Sequence, residues 1–261
     1  MTDPSDLFER IQRLREQTAR RDKPTALERM IQNIHRQRRV VEVLDTFIQN
    51  IYVADGLHRE ESQRNIAESL IEIKYYCQHS SNGLLITDDG YFLTALHCVQ
   101  DDGRHPLYQA RVHLYDGTSY PIERICASLK AEDIAIVKAA IPKECKPRSY
   151  KFYNTNVLQN DGVTLLTRWD GNLVVKDGSI TYADHQINIE VNNQPSTTYH
   201  NHFLTNLTAI PGDSGGVILT VDGRVAGLVS TGGGYSAASG VKIIEALKLV
   251  EAYKRHVFRR I

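Results

Sequence analysis

The sequence lacks any long apolar run and any excess of charge of one sign. No stretch reaches the ~18 consecutive apolar residues of a membrane-spanning helix, so no membrane span is predicted. The 31 Lys and Arg residues equal the 31 Asp and Glu residues, and this balance gives no indication of a nucleic-acid partner. A chain of 261 residues can form one large core, or a smaller domain with an appendage.

The first residues lack the features of a secretory signal peptide. Residues 1–17 contain acidic side chains and alternate polar with apolar residues. A signal peptide instead has a basic start followed by an apolar run. We therefore expect a soluble, cytoplasmic protein, with export by a route that needs no signal peptide as the alternative.

Cysteine is scarce, and its spacing is not that of a metal site. The four cysteines are Cys77, Cys98, Cys126 and Cys145, with no CxxC pair among them, which argues against zinc. Reduced, mostly buried thiols are expected in a cytoplasmic protein. A Cys77–Cys98 bridge is the alternative for an oxidising compartment.

Residues 1–70 have the composition of a helical region, rich in Glu, Arg, Gln and Leu. Pro24 ends one helix and suits the first turn of the next. The helix after it carries one apolar face, at three- and four-residue steps, formed by Met30, Ile34, Val41, Leu44, Ile48 and Ile51. Residues 24–52 are therefore expected to pack on the rest of the protein, or to form a dimer or bind a partner protein. A further helical piece is expected at 59–70.

Beyond residue 70 the sequence consists of short β-rich runs separated by Asp-Gly pairs, which favour tight turns. Seven pairs begin at Asp89, Asp102, Asp116, Asp161, Asp170, Asp177 and Asp222. The runs between them are 83–87, 91–96, 110–115, 134–137, 163–167, 173–176, 187–191, 216–220 and 224–229. This pattern predicts an all-β sandwich or barrel, with a C-terminal helix over 241–259. Two regions are expected: a helical one over 1–70, for regulation or interaction, and a second over 71–261.

The strongest chemical signal is a serine between glycines, in the segment PGDSGG at residues 211–216. Small neighbours let a carbonyl group approach Ser214, and glycine backbone can turn its N–H groups toward a developing oxyanion. The same glycine spacing occurs in α/β-hydrolases, which place their acid and histidine after the serine. Only His256 follows Ser214, near the end of the last predicted helix, so that alternative is disfavoured.

Two further segments contribute His97, in TALHCV at 94–99, and Asp133, in EDIAIVK at 132–138. With the serine segment, they resemble the TAxHCV, DIAxxK and GDSGG signatures of the chymotrypsin/trypsin-like serine protease family, in the order His, Asp, Ser. The intervals of 36 and 81 residues resemble those of bacterial members with short loops. The resemblance covers roughly residues 75–255 and implies an all-β double β-barrel.

The resemblance also implies roles for these residues. Ser214 Oγ would attack the scissile carbonyl, and His97 would take its proton and later return it to the leaving amine. Asp133 would hold His97 in the productive tautomer. The backbone N–H groups of Gly212 and Ser214 would form the oxyanion hole, and no metal or organic cofactor would be needed.

The resemblance further indicates where a substrate would bind. Thr208, six residues before the nucleophile, corresponds to the base of the primary specificity pocket, where cleavage after Lys or Arg requires an acid. Ser230, Thr231 and Gly232 resemble the pocket-wall strand that pairs with substrate backbone. The expected substrate is a protein or peptide cleaved after an uncharged residue.

Three features depart from the family pattern. No Ile-Val-Gly-Gly activation site precedes the first barrel. Asp213, whose counterpart in trypsin-like zymogens receives the new N-terminus, must therefore find another partner or solvent. Position 82 is Asn, so Cys98 lacks a bridge partner at the usual spacing.

Two other functions compete with an endopeptidase. One is a catalytically silent binding or scaffold protein that acts through its helical arm, and the other is an esterase or acyltransferase on the same fold. Silent members usually lose the serine or the histidine, and all three candidate residues are present here. The sequence therefore favours the enzyme.

Overall fold

The structure is a computed structural model that describes residues 26–53, 58–75, 80–100, 106–142, 150–153, 156–189, 197–231 and 237–258. The helix predicted before Pro24 and the predicted site residue Gly232 lie outside these ranges. The same is true of Cys77 and Cys145, whereas Cys98 and Cys126 are free thiols. Within the described ranges, no helix combines the length and the apolar character that crossing a membrane requires.

In the described part of the chain, two helices precede the β-structure and one follows it. Helix α1 runs over Ala26–Val53 and α2 over Arg59–Ser69, close to the two predicted pieces. Helix α3, over Ile243–Phe258, matches the predicted C-terminal helix, with Arg255 and His256 in its last turn. Basic side chains at this end interact favourably with the helix dipole.

The first β-barrel closes in the strand order β1-β2-β3-β6-β5-β4. Every described pairing between its strands is antiparallel. Its strands are β1 (Leu70–Lys74), β2 (Ser80–Leu85), β3 (Tyr91–Ala95), β4 (Arg111–His113), β5 (Ser119–Leu129) and β6 (Ile134–Ala139).

The second β-barrel closes in the order β10-β11-β12-β9-β8-β7. Its strands are β7 (Gly162–Trp169), β8 (Asn172–Ile189), β9 (Thr197–Thr208), β10 (Val217–Thr220), β11 (Val225–Thr231) and β12 (Ala237–Lys242). Two closed six-stranded barrels confirm the predicted fold class.

Strand β6 is buried on both of its faces, which explains its continuous apolar sequence. Ala135 and Val137 point into the core of the first barrel. Ile134 and Ile136 point the other way, into a core that the two barrels share with α1 and α3. Because successive side chains of a strand point to opposite faces, only a strand covered on both sides needs this sequence.

The apolar face of α1 packs on the protein itself over the C-terminal half of the helix. Leu44 and Phe47 are buried in the shared core with Val250 of α3. The Phe47 ring meets Phe152 edge to face, at 5.6 Å between centroids. The N-terminal half is different, since Met30 remains 62% exposed within the described residues. If the predicted dimer or partner surface exists, it lies in that half of α1. The division of the chain at residue 70 also stays a prediction.

Candidate active site

His97 and Asp133 are brought together by the pairing of two neighbouring strands. Ala95, at the end of β3, pairs with Ile134, at the start of β6. The chain continues from β3 into a single 3-10 turn, Leu96–Cys98, and Asp133 immediately precedes β6. Antiparallel pairing therefore places the two segments side by side, and the Leu96 N–H donates to the Asp133 carbonyl at 3.0 Å.

The Asp133 carboxylate binds His97 through both of its oxygens. Oδ2 lies 2.7 Å from His97 Nδ1, and Oδ1 accepts the backbone N–H of His97 at 3.0 Å. The Asp133 side chain is 2% exposed and that of His97 is 42% exposed. Asp133 also has a positive φ of 54°, a conformation that a non-glycine residue adopts only when its surroundings hold it there.

The environment of His97 favours the protonated ring. Burial opposes a charge on the imidazole, but the Cys98 sulfur and the Asp133 carboxylate beside it raise the pKa of His97 well above its usual value. The Cys98 sulfur lies 3.8 Å from His97 Nε2, the nitrogen that does not face Asp133. With Nδ1 donating to Asp133, Nε2 of the neutral ring carries the lone pair that can accept a proton.

Ser214 lies in the loop between β9 and β10, and the first barrel holds this loop directly. The Asn82 backbone N–H, on β2, donates to the Ser214 carbonyl at 2.7 Å. Gly215 has a φ of 76°, and a Cβ there would overlap the Asn82 carbonyl. The glycine after Ser214 is thus required by the close approach of the two barrels.

Ser230 links Ser214 to Asp133. Its hydroxyl donates to Asp133 Oδ2 at 2.6 Å, and its carbonyl accepts a long hydrogen bond, 3.4 Å, from Ser214 Oγ. No hydrogen bond joins Ser214 Oγ to His97 Nε2 among the described residues. The structure therefore pairs His97 with Asp133, whereas the hydroxyl of Ser214 contacts the neighbouring strand β11.

The two predicted oxyanion-hole amides have no protein acceptor within the described part of the chain. The N–H groups of Gly212 and Ser214 donate to no described backbone or side-chain group. Gly212 has a φ of 107°, and a Cβ there would overlap the Trp169 ring. Unpaired N–H groups beside a serine are available to a negatively charged oxygen.

The predicted substrate-binding residues occupy different environments. Thr208 ends β9 with its side chain exposed, and its carbonyl accepts a hydrogen bond from Lys176 Nζ at 3.2 Å. Ser230 is buried, with its hydroxyl directed to Asp133. Thr231 is the last residue of β11. The roles of these residues in substrate binding stay predictions.

Sequence reasoning missed two polar contacts to the serine loop, from Asn82 and Lys176. Asn82 Nδ2 donates to the Gly212 carbonyl at 2.8 Å, and Lys176 Nζ donates to Asp213 Oδ2 at 2.6 Å. The sequence contained one clue to each contact. Position 82 departs from the family pattern, and Asp213 needs a cation because the activation site is absent.

The two histidines before the serine loop, His200 and His202, differ in burial, although residues two apart in a regular strand point to the same face. His202 is fully buried and His200 is exposed, both on β9. Asn201, between them, has a positive φ of 59°. In the described part of the chain, no group of three or more His, Cys, Asp or Glu residues is arranged to hold a metal ion.

Comparison with known proteins identifies the family. The family model for the trypsin-like peptidase domain matches residues 81–228, more than half of the chain. A probable periplasmic DegP-like serine endoprotease of Chlamydia pneumoniae is 32% identical over 158 residues. Its counterpart in Chlamydia trachomatis serovar D is 30% identical over 158 residues. The matched region is 59% of this chain but only 30% and 29% of these relatives, so the chain spans less than a third of their length.

The cytoplasmic location predicted from the sequence is wrong, because these relatives are described as periplasmic. That prediction rests on the composition of residues 1–17 and on the missing bridge partner of Cys98. A barrel core is stabilised by the same apolar packing on either side of a membrane, so the domain itself carries no information about its compartment.

Two of the solved structures with this fold illustrate the similarity. A serine endoprotease from Yersinia pestis superposes with a TM-score of 0.57 at 18% identity, over 76% of this chain and 67% of the other. The active form of a protease from M. tuberculosis gives a TM-score of 0.58 at 16% identity, over 72% and 82%. The chain therefore belongs to the trypsin-like peptidase family, and its fold and its relatives are those of serine endopeptidases.

Proposed function

We propose that this chain is a serine endopeptidase that hydrolyses peptide bonds through an acyl-enzyme on Ser214. His97 acts as the general base and Asp133 orients it. In the first step Ser214 Oγ bonds to the scissile carbonyl carbon while its proton moves to His97 Nε2. The proton then passes to the leaving amine, and water repeats the sequence to release the acid product.

The hydrogen bond of 2.7 Å between His97 Nδ1 and Asp133 Oδ2 is the observation that carries this proposal. It orients the ring so that Nε2 is the nitrogen left to act as base. The Asp133 carboxylate is also held by Ser230 and by the His97 backbone, so the imidazolium formed during the reaction meets a fixed negative charge.

The serine hydroxyl must change its hydrogen-bond partner for the reaction to begin. Its bond to the Ser230 carbonyl is long, at 3.4 Å, and therefore weak. Catalytic hydrogen bonds often tighten only when substrate binds. We expect Ser214 Oγ to exchange this bond for one to His97 Nε2 in the substrate complex.

The oxyanion hole is formed by the backbone N–H groups of Gly212 and Ser214. Both groups lack a protein acceptor in the described residues, which supports this role. As the carbonyl carbon becomes tetrahedral, its oxygen gains negative charge that two fixed donors stabilise. Removing one such donor typically slows an enzyme about 100- to 1,000-fold.

The residue before the scissile bond is expected to be uncharged. Thr208 supplies no carboxylate, and the nearby Asp213 carboxylate is already paired with Lys176. A substrate lysine or arginine would therefore enter the pocket without a partner, which is costly. Cleavage profiling of a peptide library tests this, and a dominant preference for Lys or Arg would contradict it.

The relatives suggest the setting of the reaction. They are described as periplasmic endoproteases, so we infer protein substrates and a location outside the cytoplasm. The exposed N-terminal half of α1 remains the candidate surface for a dimer or partner protein, and sedimentation of the full chain with a Met30→Lys variant would test it.

A fluorophosphonate probe tests the proposed nucleophile, because it phosphonylates a serine only where a base and an oxyanion hole activate it. Wild-type protein should be labelled, and labelling should vanish in Ser214→Ala and His97→Ala. Ser239→Ala is the matched control, since Ser239 is a buried serine of the same barrel whose hydroxyl has no partner among the described residues. A wild-type protein that stays unlabelled would exclude the proposed function.

A further inference from the structure

The residue next to the nucleophile carries a buried charge. The Asp213 side chain is 4% exposed, and its Oδ2 accepts two hydrogen bonds. One comes from Lys176 Nζ at 2.6 Å and the other from the Ile210 N–H at 2.9 Å. A buried carboxylate without a cation is costly, so the lysine stabilises the inward position of Asp213.

The cation comes from a neighbouring strand of the same barrel. Lys176 lies on β8, opposite Leu165 of β7, and its side chain is 26% exposed. Its ammonium also donates to the Thr208 carbonyl at 3.2 Å, at the end of β9. Among the described basic residues, Lys176 alone forms an ion pair with Asp213. The pair thus joins β8, the end of β9 and the serine loop.

The position of Asp213 determines the course of the backbone around Ser214. The Asp213 N–H donates to the Ile210 carbonyl at 3.0 Å, and the Asp213 carbonyl accepts from the Gly216 N–H at 2.9 Å. Together with the bond from the Ile210 N–H to the carboxylate, these contacts close the loop on both sides of the serine. The two amides assigned to the oxyanion hole belong to the residues directly before and after Asp213.

We propose that Lys176 is an internal activating cation, a positioning residue that acts through Asp213. Its ammonium holds the carboxylate inward, and the carboxylate holds the 212–214 backbone with its N–H groups available to an oxyanion. The serine loop is therefore organised without a newly cut N-terminus, and no cleavage of the chain is needed to form this ion pair. The inference rests on the proposed function.

The rate of fluorophosphonate labelling measures this role directly, because the phosphonyl oxygen needs the same amides. Lys176→Met should lower the second-order labelling rate constant about 10- to 100-fold. This decrease is no larger than the decrease caused by removing one oxyanion donor. Lys176→Arg keeps a cation and should restore most of the rate. Lys242→Met is the matched control, because Lys242 pairs with Asp184 at 2.9 Å on the same barrel and should be dispensable for labelling.

A double-mutant cycle separates positioning from a merely structural contribution. If Lys176 acts through Asp213, then Asp213→Asn should slow labelling as much as Lys176→Met, and the double variant should be no slower than Asp213→Asn. The double variant removes both charges, so it should keep a native unfolding temperature while labelling slowly. If the role of Lys176 were purely structural, Lys176→Met would unfold at a lower temperature. Its labelling rate constant would equal that of the wild type at temperatures where both proteins are folded.

The outcomes are distinct from failure of the proposed function. An unlabelled wild type would overturn the function itself. A labelled wild type together with wild-type rates in Lys176→Met, or in the folded double variant, would overturn only the inference. Rate losses that multiply in the double variant would also overturn it, because the two residues would then act independently.

Discussion

The Asn82 side chain bridges the two barrels at the serine loop, donating from Nδ2 to the Gly212 carbonyl over 2.8 Å. Its Oδ1 accepts the backbone N–H of Arg168 at 2.6 Å. Asn82 is fully buried, so both groups depend on it for their hydrogen bonds. One side chain of the first barrel therefore fixes two backbone segments of the second.

Asn82→Ala should lower both stability and labelling. Each buried group left unpaired costs about 1–3 kcal/mol, and the Gly212 peptide loses a fixed orientation. Urea unfolding and the fluorophosphonate rate measure the two effects. Asn172→Ala, at an exposed asparagine, is the control and should change stability by less than about 0.5 kcal/mol. Equal behaviour of the two variants would contradict the bridging role.

Gly212→Ala should abolish labelling because of steric overlap. A second glycine, Gly117, separates this overlap from the effect of backbone strain. A Cβ at Gly212 would overlap the Trp169 ring, whereas Gly117, with a similar positive φ of 84°, has open space around it. Gly117→Ala should therefore cost only the backbone strain of about 1–2 kcal/mol and leave labelling unchanged.

The pair Gly212→Ala/Trp169→Ala removes the overlap and should unfold at a higher temperature than Gly212→Ala alone. Thermal unfolding followed by circular dichroism measures the difference. A double variant that unfolds at the same temperature as Gly212→Ala would show that the ring is not the obstacle.

Labelling should decline as the pH falls, and its midpoint should lie above the ordinary histidine pKa of about 6.5. The base must be neutral to accept a proton, and burial of His97 is outweighed by Cys98 and Asp133, which raise the pKa of its ring. A labelling rate measured from pH 5 to pH 10 gives the midpoint. A midpoint below 6.5 would contradict this prediction.

Asp133→Asn should lower that midpoint and reduce the rate by about 10⁴-fold. Stability should follow the opposite trend with pH. Because the pKa of His97 is raised in the folded state, protonation stabilises the fold fully below about pH 6.5, and this contribution is lost as the pH rises through the folded-state value. The pH dependence of the unfolding temperature should therefore be weaker in Asp133→Asn.

Phe47→Ala should destabilise the whole protein, by about 3–5 kcal/mol, because it opens a cavity in the core shared by the barrels and α3. Met30→Ala on the exposed half of the same helix should change stability by less than about 0.5 kcal/mol. Guanidinium unfolding measures both. Equal effects would mean that α1 is an independent arm.

The fold could be predicted from the sequence where the residue types of turns differ from those of strands. Gly90, Gly117, Gly171 and Gly223 take the positive φ that their Asp-Gly pairs predict. Gly162, which begins β7, does not follow the rule, and neither does Gly178, which lies inside the long strand β8. A Cβ there would collide with Asn206 and Leu207, so this glycine serves the close packing of a strand.

Four strands are absent from the nine predicted runs: β1, β5, β9 and β12. β1 (Leu70–Lys74) follows a helix without a break, and only its first residue falls within the predicted helical region. β5 (Ser119–Leu129) is mostly half-buried and mixes polar with apolar residues, without a continuous apolar run. β12 (Ala237–Lys242) is rich in small residues and is held by pairing with β9 and β11, which no local pattern reports.

Only the site residues that lie in recognisable motifs could be predicted from the sequence. His97, Asp133 and Ser214 lie in recognisable segments, and the strand pairing places the first two in contact. The contacts of Ser230 with Asp133 and of Lys176 with Asp213 join residues far apart in sequence. Single serines and lysines occur throughout the chain, so nothing local distinguishes these two.

The shared core has a consequence for how the protein is made. Phe47 and Val250 pack in the same cluster although both barrels lie between them in sequence. A nascent chain cannot complete this cluster until α3 has left the ribosome, and such distant contacts form late in folding. Hydrolytic activity should therefore emerge only after all of these elements have been synthesised.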